Sequence, residues 1–152
     1  LFTKHHIFTE TEIHSRYEIL LENYCKTLHI EAKTLADMVK RDFLPALMSY
    51  SDTVTSAILK KKEAAGFACA SETKLLTKLS GYYDAITDAE EKLEEYTEAA
   101  EGIEDFQAQA DYYHETVIPA MEEIRSYADA AESYLPDEAL PYPTYQKLLF
   151  SV

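Results

Sequence analysis

Histidines, cysteines and carboxylates are the residues of this chain able to support chemistry, and their spacing decides what chemistry. The densest ligand-type cluster is His5, His6 and His14, with Glu10 and Glu12 nearby. Imidazoles and carboxylates are donors that zinc accepts, which defines a metalloprotein reading. The spacing matches no established ligand frame, and solvated histidines are the simpler state. Asp111 and His114 stand three apart, but helical di-iron sites need paired Glu-x-x-His turns, and the chain contains no such turn. Cys25 and His29, four apart, can touch on one helix face. An activated thiolate also needs a cleft and an orienting partner, so a core thiol beside a surface imidazole is the plainer reading. Glu90, Glu91, Glu94, Glu95, Glu98 and Glu101 read as a solvated helix face. Gly66, Gly81 and Gly102 are isolated, whereas phosphate loops need clustered glycines. No catalytic, cofactor-binding or metal-binding residue is assigned.

Composition points to the scaffold that carries these residues. The 152 residues suit one domain that buries a core without staples. Three glycines among many Ala, Leu, Glu and Lys are helical usage, and the 12 tyrosines offer apolar rings with a polar rim. The net charge of −14 is uneven: residues 1–64 carry nine basic and nine acidic side chains, and residues 65–152 carry five and nineteen. Such a field repels phosphate backbones and anionic lipid, so neither nucleic acid nor a membrane is the expected partner. The neutral first half is the part expected to meet something larger. No apolar stretch approaches the roughly 20 residues of a membrane span, and no signal-peptide pattern opens the chain. Cys25 and Cys69, without a CxxC spacing, read as two reduced thiols of a cytoplasmic protein. A start at Leu1 rather than Met suggests a piece of a longer polypeptide.

The elements follow from periodicity. After an opening segment 1–9, Thr9 and Glu12 form a capping-box signal. The stripe Ile13, Tyr17, Leu20, Tyr24, Leu28, Ala32, Leu35, Val39 and Phe43 predicts a long helix over 10–64, kinked near Pro45, with its register shifted beyond the proline. A turn at Gly66 and an N-cap at Ser71 introduce a second helix over 72–101, seamed by Leu79, Tyr82, Ile86, Ala89, Leu93, Tyr96 and Ala100 and closed by Gly102. A third helix over 104–134, kinked near Pro119, carries Phe106, Ala110, Tyr113, Val117, Ala120, Ile124, Tyr127, Ala131 and Tyr134. The expected fold is all-α: an up-down-up antiparallel three-helix bundle, with a tail over 135–152 holding a short helix capped by Thr144. In that arrangement residues 10–33 overhang the bundle. Their face, Ile13, Tyr17, Leu20, Leu21, Tyr24 and Leu28, then needs a cover, supplied in part by the tail, and is the expected docking face.

Two stretches carry a family likeness. The opening Leu1-Phe2-Thr3-Lys4-His5-His6-Ile7-Phe8-Thr9-Glu10, followed by Glu12-Ile13-His14-Ser15-Arg16-Tyr17-Glu18, resembles the start of the C-terminal helical region of type III glutamine synthetases. The ending Pro141-Tyr142-Pro143-Thr144-Tyr145 with Leu148-Leu149-Phe150 resembles the close of the same enzymes, and Ile118-Pro119-Ala120-Met121-Glu122-Glu123 fits between them. Leu140 stands where the family pattern has an aromatic residue. The resemblance implies a parent enzyme that joins glutamate and ammonia with ATP and Mg²⁺ or Mn²⁺, through an active site in a domain upstream of Leu1. It implies no catalytic residue and no cofactor within this chain. Its partners would be the chain's own catalytic domain and neighbouring subunits of a homo-oligomer. The alternative from the residues alone is a free-standing helical protein-interaction module.

Overall fold

The structure is a computed structural model that describes residues 2–5 and 7–150. The described residues are helical with no strand, in six α-helices and two π turns. The first rod runs α1 (Glu10–Met38), a π turn (Val39–Phe43) and α2 (Leu44–Ala65). The second rod is α3 (Ala70–Glu101). The third runs α4 (Phe106–Tyr112), a second π turn (Tyr113–Val117) and α5 (Ile118–Glu132). A short α6 (Tyr145–Phe150) lies in the tail.

Local chemistry sets the ends. Thr9 Oγ1 accepts from the Glu12 amide at 3.2 Å and Glu12 returns a bond to the Thr9 amide at 2.8 Å, a closed capping box. Gly66 ends α2 at φ +66°, the left-handed cap that glycine adopts without a Cβ penalty. The sequence placed the next N-cap at Ser71, but the helix begins earlier, with Cys69 at the cap in left-handed backbone (φ 49°). Its carbonyl accepts from the Thr73 amide and hydroxyl, and its buried side chain stays in the core. That conformation costs a non-glycine residue about 1–2 kcal/mol. Gly102 closes α3 in right-handed backbone, so glycine's conformational freedom is used at 66 and not at 102. Asp105 caps α4 by accepting from the Ala108 amide at 2.8 Å.

Each interior proline sits at the second residue of an α-helix that follows a π turn. A proline ring collides with the carbonyl four residues back and offers no N–H. The π turn relieves both by widening the ladder: the Leu44 amide bonds Val39 O, and the Ile118 amide bonds Tyr113 O, five residues back. The extra residue rotates everything downstream, which is why the apolar stripe of the first rod changes register at Leu47, Val54 and Ile58, all buried.

Ion pairs record how the rods run. Lys61 meets Glu72 at 2.5 Å, Lys40 meets Glu90 and Glu94, and Lys33 meets Glu101 at 3.3 Å, so the first and second rods are antiparallel. Lys78 reaches the Tyr134 hydroxyl and Gln109 reaches the Ala100 carbonyl, giving the same sense between the second and third. Leu47, Leu79, Ile86, Leu93, Val117 and Ile124 fill the shared core at zero exposure. Burial of such side chains contributes about 1.5–3 kcal/mol each.

Residues 10–33 do not lack a partner. Residues 102–105 carry the chain past α3, and α4 then runs beside α1. Gln107 bonds Tyr17, and Cys25, Leu28 and Ala32 are buried. The described contacts of the tail fall mainly further along the first rod. Tyr142 reaches Asp42 Oδ2 at 2.8 Å and the Met38 carbonyl at 3.5 Å, beside the first π turn. Leu140 packs half-buried against the core, and Thr144 Oγ1 caps α6 through the Lys147 amide.

If these seams hold the fold, Leu79→Ala and Ile124→Ala each lower the unfolding free energy by about 2–5 kcal/mol. Glu95→Ala, on the exposed face, stays within about 0.5 kcal/mol. Urea denaturation measures both, and equal effects would contradict the seam assignment.

Candidate functional site

Along α1 the buried positions Cys25, Leu28, Ala32 and Ala36 form one face. At about 100° per residue, Ile13, Tyr17, Leu20 and Tyr24 fall a quarter turn to its side. They are therefore left on the flank of the α1–α4 contact. Of the expected docking residues, Leu28 is in the core, Leu21 packs against it and Ile13 is half-buried. Tyr17, Leu20 and Tyr24 remain 49%, 67% and 37% exposed, which is what makes them a candidate contact ridge. Ile19 and Ile30 are exposed on the far side of the same helix. The opening segment folds back beside the ridge: Arg16 lies 4.6 Å from the centroid of the Phe8 ring, and Phe8 pairs with Phe2 at 6.0 Å.

Of the opening's ligand-type cluster, only the described residues can be placed. His6 lies outside the described residues, and among those described no group of three His, Cys, Asp or Glu side chains is placed to hold a metal. Cys25 and His29 do not pair. His29 Nδ1 lies 3.1 Å from the Tyr113 hydroxyl and Nε2 lies 3.1 Å from Glu101, which also takes Lys33. Cys25 is buried, and burial pushes its thiol pKa up, the opposite of activation. The carboxylate–imidazole–hydroxyl chain has the order of a proton relay. Tyr113 is only 1% exposed, however, and burial raises its pKa, so the chain ends in the core and ties three rods together.

The acidic run is not wholly a solvated face. Glu90 is 2% exposed, and Lys40 of the first π turn bridges it at 3.1 Å and Glu94 at 2.7 Å. Lys40 lies near enough to Glu90 Oε1 for an ion pair but off the direction of a hydrogen bond, which leaves that oxygen without one. Periodicity hid this residue because the seam was read through apolar types alone. Glu90 stands four after Ile86 and three before Leu93, inside the buried arc, and that spacing was the available signal.

A family model described as the glutamine synthetase C-terminal domain matches residues 1–62. Over its whole length the chain is 44% identical to a glutamine synthetase of Butyrivibrio fibrisolvens. Over 95% of its length it is 31% identical to a glutamine synthetase of Bacteroides fragilis. Over 99% it is 28% identical to a type-3 glutamine synthetase of Dictyostelium discoideum. The chain covers 22%, 21% and 21% of these relatives, so it spans about a fifth of their length.

Burial raises the Glu90 pKa above the ordinary carboxylate value, and Lys40 opposes the shift while Glu94 and Glu91 add to it. The folded state then binds this proton more tightly than the unfolded chain. The cost of the buried charge is full at neutral pH and relieved as pH falls through the folded value toward about 4.3. Urea unfolding at about pH 7 and about pH 5 should show wild type gaining stability relative to Glu90→Gln on acidification. A difference that is constant between the two conditions would contradict a charged, buried Glu90.

Proposed function

The chain belongs, through residues 1–62, to the glutamine synthetase C-terminal domain family, and from that premise we propose that it is a non-catalytic helical domain serving the assembly, docking or regulation of a larger enzyme. The parent reaction is the ATP-dependent joining of glutamate and ammonia to glutamine. ATP and Mg²⁺ or Mn²⁺ belong to the remainder of the protein and not to this chain. The partners are the protein's own catalytic domain and neighbouring subunits of a homo-oligomer, in the cytoplasm. Among the described residues no helix is long and apolar enough to cross a membrane.

The observation that carries this reading is the alignment of the whole chain with about a fifth of a relative named glutamine synthetase, at 44% identity. The structure supplies a means: Tyr17, Leu20 and Tyr24 form an exposed ridge on the half of the chain with balanced charge. Aromatic and aliphatic side chains grouped on one face suit an interface centre. The excess acidic charge of residues 65–152 keeps the rest of the surface solvated and self-repelling.

The test is to express this chain separately and mix it with the remainder of the parent protein. The expected result is a stable complex, with no glutamine formed by the chain alone. The pair Leu20→Asp and Tyr24→Asp should weaken association by about tenfold or more, as loss of interface anchors does, without lowering the chain's own unfolding midpoint. Glutamine synthesis by the isolated chain, or no association of the wild-type pieces, would overturn the reading.

A further inference from the structure

An open apolar groove of about 520 Å³ runs between the first and third rods, lined by Leu35, Met38, Phe43, Ile118 and Met121. Its rim carries Glu31, Glu122 and Glu132 against Arg125. Asp129 holds Arg125 at 3.6 Å, whereas the three glutamates have no ion-pair partner among the described residues. The opposite charge gathers at the turn between α2 and α3. Residues 59–78 hold five lysines against Glu63 and Glu72, in a chain whose net charge is −14. Lys61 is taken by Glu72 and Lys78 by the Tyr134 hydroxyl. Lys60, Lys62 and Lys74 are exposed, with no ion-pair partner among the described residues. Leu59 and Phe67, beside them in the chain, are each 61% exposed. Lys62 suits the negative end of the α2 dipole, which leaves Leu59, Phe67 and Lys74 unexplained.

We propose that this turn docks in the groove of a second copy of the chain. Leu59 and Phe67 lie against the Met38 and Met121 side of the floor, and Lys60, Lys62 and Lys74 meet the rim glutamates. Charge selects this part of the copy. The rest of the chain holds nine basic side chains against 26 acidic ones, and an acidic rim repels it. Size agrees. The eight residues from Leu59 to Phe67 span about 12 Å at helical rise, and the groove runs about 15 Å from Leu28 to Met38. Methionine side chains on the floor adapt to the shape of what enters. The turn cannot fill its own groove, because the 22 residues of α2 hold it about 33 Å away. Repulsion between two acidic copies is screened beyond about 8 Å at physiological salt, while the paired charges meet at contact. The contact rests on the homo-oligomer reading above, to which it gives a surface other than the α1 ridge.

Sedimentation velocity of the chain at about 0.15 M salt, over a concentration series up to about 1 mM, reads association as mass above that of one chain. Two triple variants at exposed positions reverse the charges: Lys60→Glu, Lys62→Glu and Lys74→Glu on the turn, and Glu31→Lys, Glu122→Lys and Glu132→Lys on the groove. Each alone should self-associate about tenfold or more weakly than wild type, with circular dichroism unchanged. Their equimolar mixture should regain association, because each turn then faces a groove of opposite charge. A wild-type chain that stays monomeric overturns the contact, as does a mixture no tighter than the variants alone. Leu20→Asp with Tyr24→Asp should leave self-association unchanged; its loss would mean that copies meet through the ridge instead. If wild type stays monomeric while the groove variant no longer binds the remainder of the parent protein, the groove takes that remainder, and only the second copy is overturned.

Discussion

A rod clamped between two others must bury a wide arc of its circumference, and α3 is in that position. The antiparallel pairs Lys61–Glu72 and Lys33–Glu101 lay it along the first rod, and Lys78–Tyr134 lays it along the third. An arc that wide outruns the apolar positions available. Glu90 and Thr97 are accordingly buried among Ile86, Leu93 and Ala100. Thr97 satisfies itself by donating to the Leu93 carbonyl at 2.7 Å. Glu90 cannot, and a buried carboxylate is costly without a counter-charge. Lys40 supplies that charge from the neighbouring rod, so a packing constraint on one helix fixes what another must present.

The two prolines act on the same packing. In each case the ring forces a π turn in the residues before it. The first turn holds Lys40, which pairs with α3, and Asp42, which receives Tyr142 from the tail. The second holds Tyr113, whose hydroxyl meets His29 while His29 meets Glu101. Both irregular turns thus carry polar side chains that add to the ties between rods. Between them, apolar contact supplies the bulk of the stability and these few polar contacts fix the register.

Part of the apolar surface that the bundle does not consume is grouped, while Ile30, Met48, Leu59 and Phe67 stand exposed elsewhere. The grouped part lies on the flank of α1, in the groove between the first and third rods, and on α6. The first patch faces outward from the half of the chain with balanced charge, and the other two lie close to each other through Tyr142.

Composition and periodicity were enough to read an all-helical chain, because seams repeating every three to four residues record burial directly. The opening and closing stretches were enough to read the family, since those residues are specific as a string whatever they touch. The cap at Cys69, the pairing of Lys40 with Glu90, the pairing of His29 with Tyr113 and Glu101, and the cover of α4 over α1 were not legible. Each depends on how far one rod slides along another and on which flank it leans, and a periodic stripe carries neither offset nor lean. The sequence by itself determined which side chains seek burial. Tertiary structure decided which of them found it, because the length of the 102–105 connection and the extra residue in each π turn set the register between helices.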